Sequence, residues 1–312
     1  MKKTIAQGGA APDLAATGFS ANWLQQREPF DAAARDAAAP RLALAERLAA
    51  LRPERDEPWR VIDLACGTGA NLRWLAPRLG GTQQWLAVDN DLALLRRWPV
   101  HLAAAGGVAG VRLSSKSALH QPLSHAGPGF QATIVRQPLD LATSLSRVPW
   151  ASAHWVTASA LLDLVSAAWL QHLVQQVAAA RAALLLSLSV DGQHVWSKPD
   201  ADDDLVASLF AAHQQRDKGF GGSALGAAAA PALAQILRAA GYRVFSARSD
   251  WLLLGATDSR ALALQCALID GMASAASEQQ RGLAATIEAW RQRRLALAAR
   301  TTLRVGHTDL LA

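Results

Sequence analysis

The stretch VIDLACGTGANL, residues 61–72, decides the fold prediction for this chain. Its apolar run Val61–Leu64 predicts a buried strand, and Gly67 and Gly69 form a turn that can adopt positive φ values and approach a ligand closely. Asn71–Leu79 then predicts a helix whose first turn presents free N–H groups. Ligands bind at the carboxyl ends of strands in open α/β sheets, so we expect the binding site at this turn.

The turn matches neither of the two common phosphate-binding motifs. A dinucleotide fingerprint requires a third glycine, but Leu72 occupies that position. A Walker motif is excluded because no Gly-Lys-Ser/Thr follows. Asp63 lies just before the turn, where an acid would repel a pyrophosphate. The pattern therefore favours a ligand that carries positive charge.

A second acid follows in the segment WLAVDND. Gln84–Val88 predicts the second strand, and Asp89 ends it about 20 residues after the glycines, where an acid can accept hydrogen bonds from both ribose hydroxyls. Asp63 and Asp89 together predict a cationic ligand that contains a ribose and has no phosphate near the turn.

The remaining chain continues to alternate strands and helices. Further strands are predicted at Ala132–Arg136, His154–Ser159, AALLLSLSVDG, YRVFSA and WLLLGA. This alternation predicts an α/β, Rossmann-like, doubly wound and mostly parallel sheet. The last two segments, joined by a short link, predict an antiparallel edge hairpin.

The same pattern divides the chain into four parts. We expect a disordered N-terminus at 1–18, a helical lid at 19–54 that is interrupted at prolines 29 and 40, a ligand-binding domain at 55–256, and C-terminal helices packed on the core at 257–312. Residues 103–130 are rich in Gly, Ser and His and predict a loop insertion.

Composition excludes several classes of protein. The chain has 312 residues, 51% of them hydrophobic, and a net charge of +6 that is scattered except around Arg291, Arg293 and Arg294. A nucleic-acid-binding protein should carry a dense basic stripe, so nucleic acid is not the expected partner. The sequence contains no run of about 18 apolar residues, so no membrane span is predicted. The N-terminus lacks the apolar core of a signal peptide. We therefore expect a cytoplasmic protein.

The two cysteines, Cys66 and Cys266, lie far apart and form no CxxC pair, which fits a reducing compartment. His120 and His125 lack supporting acids, so no metal site is predicted.

VIDLACGTGANL and LAVDND resemble the first two motifs of the class I S-adenosylmethionine-dependent methyltransferases. The resemblance covers about residues 55–255 and implies that S-adenosylmethionine is the cofactor of a methyl-transferring enzyme. It implies that Asp63 lies near the methionine amino group and that Asp89 binds the ribose. Ala65 departs from the usual first glycine of the turn. The implied cofactor-binding residues are Asp63, Ala65, Cys66, Gly67, Thr68, Gly69, Asp89 and Asn90.

Two further segments resemble later motifs of that family. RQPLDLA resembles the third-strand motif, which implies that Asp140 contacts the adenine amino group and that Leu141 packs on the ring; an ordinary loop aspartate is the alternative. WVTASALLDLV resembles the fourth-strand motif next to the transferred methyl group. Asp163 in this segment either contacts substrate or caps the next helix.

The segment FAAHQQRDKGFGGSALG, residues 210–226, is the best candidate for acceptor chemistry. His213 can act as a base near neutral pH, and Arg216 or Lys218 can pair with an acidic substrate group. A solvated helix end explains the same residues equally well. The candidate catalytic residues are therefore His213, Asp163 and Arg216. If the N-terminal helix forms a lid over the cofactor, Arg27 could reach a carboxylate; packing of this helix alone is the alternative.

These observations favour a methyltransferase that acts on a small molecule. The chain has neither the Asn/Asp-Pro-Pro-aromatic motif nor the Pro-Cys nucleophile of nucleic-acid methyltransferases. An RNA- or protein-modifying methyltransferase, a nicotinamide-dependent oxidoreductase and a non-catalytic cofactor-binding protein are the alternatives. A homodimer is left open.

Overall fold

A mixed sheet forms the centre of the protein. The structure, a computed structural model, describes residues 19–54, 57–104, 119 and 121–312. The strands of the described residues are β1 (Trp59–Leu64), β2 (Gly81–Asp89), β3 (Leu123–Gly127), β4 (Phe130–Pro138), β5 (Trp155–Ser159), β6 (Ala183–Trp196), β7 (Phe245–Arg248), β8 (Trp251–Leu254) and β9 (Thr302–Leu311).

The strand order is β3-β4-β2-β1-β5-β6-β9-β7, with β8 also paired to β9. Strands β4, β2, β1, β5 and β6 are parallel, whereas β3 and β9 run antiparallel to their neighbours. Chain order reverses at β1, which has β2 on one side and β5 on the other. The carboxyl ends of these three strands therefore frame a crevice at the switch point.

Helices cover both faces of the sheet. They are α1 (Ala21–Ala38), α2 (Leu44–Ala50), α3 (Ala70–Leu79), α4 (Leu92–Ala104), α5 (Leu141–Ser144), α6 (Ala167–Ala180), α7 (Asp203–Gln214), α8 (Ala229–Ala239), α9 (Ser259–Gln279) and α10 (Ala284–Leu297). Helices α6 and α8 share one buried core, which includes Leu173 and Leu233, and α3 and α4 share another, which includes Leu75 and Trp98. The predicted Rossmann-like, doubly wound α/β class is confirmed. Within the described ranges, no helix is both long enough and apolar enough to cross a membrane.

The N-terminal helix continues through a proline. Helix α1 begins after Ser20, whose side chain accepts the Trp23 N–H, and it contains Pro29 in its interior. The predicted interruption at Pro29 is therefore wrong. A proline removes one hydrogen bond from a helix, but Trp23, Arg27 and the alanines further along bury one side of α1 and hold it together. Helix α1 ends at Ala38, before Pro40, as expected.

The last residues of the chain form a strand that the sequence analysis missed. Helices α9 and α10 lie within 257–312, but Thr302–Leu311 forms β9, which lies inside the sheet between β6 and β7. The sequence pattern did not predict β9, because His307 and Asp309 interrupt its apolar residues although both are buried. Asp309 accepts hydrogen bonds from the Leu188 N–H at 2.8 Å and from the Ser249 hydroxyl.

Strand β9 also changes the predicted edge hairpin. Strands β7 and β8 do not pair with each other; both pair antiparallel with β9, so they are two parts of one edge strand that breaks at residues 249–250. The hairpin of the described sheet is β3-β4, at the opposite edge. Strand β3 and the C-terminal part of α4 occupy the two ends of the segment 103–130, which was predicted to be a loop. Residues 105–118 and His120 of that segment lie outside the described residues, and so does the predicted N-terminal segment 1–18.

Candidate active site

The turn after β1 contains three residues with positive φ. These are Ala65 at 50°, Gly67 at 51° and Gly69 at 85°. Glycine adopts this conformation without cost, whereas an L-residue is strained by about 1–2 kcal/mol. Ala65 therefore carries strain at the position where the resemblance expects a glycine.

The two glycines of the turn have different roles. A Cβ atom at Gly69 would lie 2.9 Å from the Trp98 ring, so this glycine is needed for packing. The Trp98 indole N–H also donates to the Gly67 carbonyl at 2.8 Å. Gly67 lines the cavity in front of the turn, and a Cβ atom there would lie 3.2 Å from Leu24 Cδ1.

Asp89 ties the turn to the end of β2. Its carboxylate accepts the Gly67 N–H at 2.7 Å and the Asp91 N–H at 2.8 Å. Burial raises the pKa of Asp89, and these two backbone hydrogen bonds oppose that rise. Asp89 thus fixes the turn while its carboxylate lines the cavity.

Asp63 is fully buried at the end of β1 and has one oxygen without a partner. Its Oδ1 accepts the Asn71 side-chain N–H at 2.6 Å, whereas Oδ2 has no hydrogen-bond partner among the described residues. The same Asn71 amide donates to Thr157 Oγ1 at 3.0 Å, which in turn donates to the Leu185 carbonyl at 2.7 Å. Burial raises the pKa of Asp63 to about 7. A cationic donor in the cavity would satisfy Oδ2, because a buried polar atom without a partner is costly.

Most of the predicted site residues line one cavity of about 520 Å³. The predicted residues on its wall are Asp63, Ala65, Cys66, Gly67, Thr68, Asp89, Asn90, His213 and Arg216. Residues that were not in the predicted site set also line it, among them Phe19, Leu24, Arg27, Asp31, Ala70, Asn71, Asp91, Leu94, Ser159, Ala160, Leu161, Leu164, Lys218 and Phe220. Burial raises the pKa of the Cys66 thiol well above its usual range, so this thiol stays protonated.

Asp140 and Leu141 are not among the residues that line this cavity. Asp140 is exposed and caps α5, with its side chain accepting the Ala142 N–H at 2.9 Å. Leu141 is buried in the core, and its carbonyl accepts the Trp169 indole N–H at 2.8 Å. The neighbouring Leu139 N–H donates to the Asp89 carbonyl at 2.9 Å, so this segment adjoins the end of β2, and contact of Asp140 and Leu141 with the cofactor stays a prediction.

A smaller compartment of about 130 Å³ adjoins the cavity. The two share a wall formed by Phe19, Arg27, Ala160, Leu164, His213 and Lys218. Asp163 lines only the smaller compartment. Burial raises the pKa of the Asp163 carboxyl, and the positive charges of Arg27 and Lys218 oppose that rise.

His213 in the last turn of α7 forms a dyad with Glu278 of α9. His213 Nε2 lies 3.2 Å from Glu278 Oε2. An ionised carboxylate only accepts, so Nε2 carries the hydrogen and Nδ1 keeps its lone pair. Burial lowers the pKa of His213, and the contact with Glu278 partly restores it, so the imidazole is neutral at pH 7. Sequence analysis missed Glu278 because it lies 65 residues away on another helix.

The guanidinium of Arg216 is held by the end of α9. Its Nε donates to Gln279 Oε1 at 3.0 Å, and Nη2 donates to the Glu278 carbonyl at 3.1 Å. Lys218 lies on the wall of both compartments, and burial lowers its pKa. Lys218 is therefore better placed than Arg216 to meet a ligand in the smaller compartment.

Helix α1 closes the cavity from the N-terminal side. Arg27 Nε donates to Asp31 Oδ2 at 2.9 Å, and the Trp251 indole N–H donates to Asp31 Oδ1 at 2.9 Å. Arg73 of α3 binds Glu28 through two hydrogen bonds of 2.7 Å. These contacts fix α1 against both the sheet edge and the helix that begins at the turn.

No family model matches the sequence, and no curated protein matches it. Solved structures of similar fold include a cyclopropane-fatty-acyl-phospholipid synthase-like protein from Lactobacillus casei, with 18% identity, a TM-score of 0.46 and coverage of 96% of both chains. An S-adenosylmethionine-dependent methyltransferase from Thiobacillus denitrificans, in complex with S-adenosylhomocysteine, has 17% identity, a TM-score of 0.40 and coverage of 88% of this chain and 90% of its own. A cyclopropane synthase from Mycobacterium tuberculosis has 9% identity, a TM-score of 0.42 and coverage of 86% and 83%. At these identities and scores the similarities do not assign an activity, which rests on the site itself.

Proposed function

We propose that this protein is an S-adenosylmethionine-dependent methyltransferase that acts on a small molecule. The observation that carries the proposal is the unpartnered Oδ2 of Asp63, a buried carboxylate oxygen in the same cavity as Asp89. The two acids lie at the ends of neighbouring parallel strands, β1 and β2. A ligand with an ammonium group and a ribose fits both acids, whereas a pyrophosphate would be repelled.

Each end of the cofactor has residues that fit it. Asp63 would accept the amino group of the methionine part, and Asp89 with Asn90 would hold the ribose. The small residues Ala65 and Gly67 leave room beside the turn. When bound, S-adenosylmethionine supplies an activated methyl group, whose bond to sulfur breaks with both electrons passing to sulfur as the acceptor atom bonds to the carbon.

The residues of the chain align the acceptor and remove its proton. Alignment of two reactants alone can lower a barrier by about 7–11 kcal/mol, and the shared wall of the two compartments is where the acceptor meets the cofactor. His213 borders both compartments and has a free Nδ1, so it would take the proton that leaves the acceptor. Glu278 would hold the required tautomer and stabilise the imidazolium that forms.

The basic cluster near the C-terminus supports a small acceptor over RNA. Arg291 donates to Asp270 at 2.6 Å, Arg293 donates to Asp200 at 2.7 Å, and the buried Arg294 is paired with Asp203. These guanidiniums are engaged by acids of the same chain and leave no basic stripe for a phosphate backbone. A cytoplasmic location and a homodimer remain predictions.

Calorimetry with S-adenosylhomocysteine tests the proposal. We expect saturable binding by the full chain, strongly weakened in Asp89→Ala and unchanged in Asp204→Ala, which removes an exposed acid of α7. Tight binding of NADH in place of the sulfur ligand would support the oxidoreductase alternative. Binding of RNA that weakens steeply with salt would support the RNA-modifying alternative.

A further inference from the structure

The smaller compartment has a chemical character that points to its occupant. Its charged side chains are Arg27, Asp163 and Lys218. Arg27 is paired with Asp31 at 2.9 Å, and the charge of Asp163 is opposed by the ammonium of Lys218. The charges on this wall therefore compensate one another, so we expect the ligand of this compartment to be uncharged.

His307 of β9 adds a hydrogen-bond acceptor to the compartment. Its Nδ1 lies 3.1 Å from the Val305 carbonyl oxygen. A carbonyl only accepts, so Nδ1 carries the hydrogen and Nε2 keeps a lone pair. Among the described residues, Nε2 has no donor within hydrogen-bond distance, although only 2% of His307 is exposed. Burial, reinforced by the charge of Arg27, lowers the pKa of His307 to about 3, so the ring stays neutral at physiological pH.

Aromatic rings line this compartment. The Trp251 and His307 ring centroids are 4.8 Å apart, and Phe210 contacts His194 edge-to-face at 5.8 Å. Trp23 also lines the compartment, and its buried indole N–H has no partner among the described residues. The remaining apolar wall is formed by Leu188, Val190, Leu268, Ala275 and Val305.

The volume limits the size of the occupant. The compartment measures about 130 Å³, and an apolar cavity of roughly 150 Å³ is known to hold benzene. One planar ring with small substituents therefore fills it. A long acyl chain or a nucleotide does not fit.

We propose that the smaller compartment is the acceptor site and that it takes a small, uncharged aromatic molecule whose O–H or N–H donates to His307 Nε2. The ring lies between the aromatic side chains, with its nucleophilic atom toward the shared wall that contains Ala160 and His213. This assignment rests on the proposed methyl transfer for its role, but the binding site itself is defined by His307 and the rings around it.

Calorimetry of the full chain, saturated with S-adenosylhomocysteine, tests this assignment with three probes. We expect 4-methylphenol to bind about tenfold more tightly than 4-methylanisole, because the ether lacks the donor for His307 and one hydrogen bond contributes about a factor of ten. We expect 4-hydroxybenzoate to bind more weakly than 4-methylphenol. Equal affinities for the phenol and its ether, or preferred binding of the carboxylate, would overturn the proposal.

Variants separate this site from a general apolar surface. His307→Leu should remove the difference between the phenol and its ether, whereas His172→Leu, on α6 and outside both compartments, should keep it. If His307→Leu does not fold, Leu268→Trp tests the same point, because it fills the compartment and should abolish phenol binding. Retained phenol binding in Leu268→Trp would contradict the proposal.

The two proposals fail in distinguishable ways. Binding of S-adenosylhomocysteine without any binding of 4-methylphenol removes the acceptor assignment and leaves the methyltransferase proposal intact. Binding of 4-methylphenol, measured without cofactor, together with no binding of the sulfur ligand removes the proposed function and retains an aromatic-binding site at His307.

Discussion

Asn71 donates to Asp63 Oδ1 at 2.6 Å and leaves Oδ2 of the same carboxylate without a partner. Asn71 lies in the first turn of α3 and Asp63 is the last residue but one of β1, so the strand-turn-helix unit itself leaves this acid with one unpaired oxygen. Such a group is costly in an empty site, and a cationic ligand would satisfy it.

Asp63→Asn should weaken binding of S-adenosylhomocysteine by about 10- to 100-fold, since a charged hydrogen bond contributes about 1.5–3 kcal/mol. The amide keeps the size of the side chain but lacks the negative charge. Calorimetry of the wild type and the variant measures the change, with Asp204→Ala as the control. Unchanged affinity in Asp63→Asn would mean that no ammonium group binds at this acid.

Cofactor affinity should also depend on pH through Asp63. Burial raises its pKa to about 7, so at pH 6 the carboxyl is mostly protonated and cannot pair with an ammonium group. We expect affinity for S-adenosylhomocysteine to rise between pH 6 and pH 8. The same titrations with Asp63→Asn should lose this component, and a persisting pH dependence would assign it to another group.

The raised pKa of Asp63 has the opposite effect on the ligand-free protein. The folded state holds the proton more tightly than the unfolded state, so the stabilisation is complete below the unfolded pKa of 3.8 and is lost as pH rises toward 7. We expect Asp63→Asn to flatten the fall in the free energy of unfolding between pH 4 and pH 7. Urea denaturation at several pH values measures this slope, and equal slopes for both proteins would contradict the assignment.

Ala65→Gly should raise the free energy of unfolding by about 0.5–1 kcal/mol. The substitution relieves the backbone strain at φ 50°, which is about 1–2 kcal/mol. Part of this gain in stability is lost because glycine has more conformational freedom than alanine in the unfolded chain. Ala49→Gly is the matched control, because Ala49 is an exposed residue of α2, where glycine should destabilise. Urea denaturation measures both, and a loss of stability in Ala65→Gly would show that the turn is not strained.

The sequence was sufficient for the parts of the fold that have local signals. Val61–Leu64 and the glycines that follow predict a strand and a turn because side-chain size and backbone freedom act within a few residues. The strand β9 was missed because two buried polar residues, His307 and Asp309, interrupt its apolar pattern, and the partners of Asp309, Leu188 and Ser249, lie far away in the chain. No local pattern distinguishes them from residues of an exposed segment.

The candidate site also contains residues that the sequence predicts and residues that only the structure reveals. Asp63 and Asp89 were found from their positions at strand ends, and the structure brings both to one cavity. Asp140 follows a strand in the same manner and caps α5, but it does not line the cavity, so its contact with the cofactor stays a prediction. The partners Glu278 and His307 come from α9 and β9, and only the tertiary structure brings them to the site.

The dyad of His213 and Glu278 predicts how turnover depends on pH. If His213 is the base, turnover with an acceptor found by screening should fall as the imidazole becomes protonated, at a pH below 6.5 because burial lowers its pKa. Glu278 raises that pKa, so Glu278→Gln should move the acidic limb of the kcat profile to still lower pH and reduce kcat by roughly 10- to 100-fold through loss of the stabilised imidazolium.

His213→Asn should remove the limb, whereas affinity for S-adenosylhomocysteine should stay the same in both variants. Glu288→Gln, on the exposed side of α10, is the control for Glu278. An acidic limb that persists unchanged in His213→Asn would assign the proton transfer to another residue.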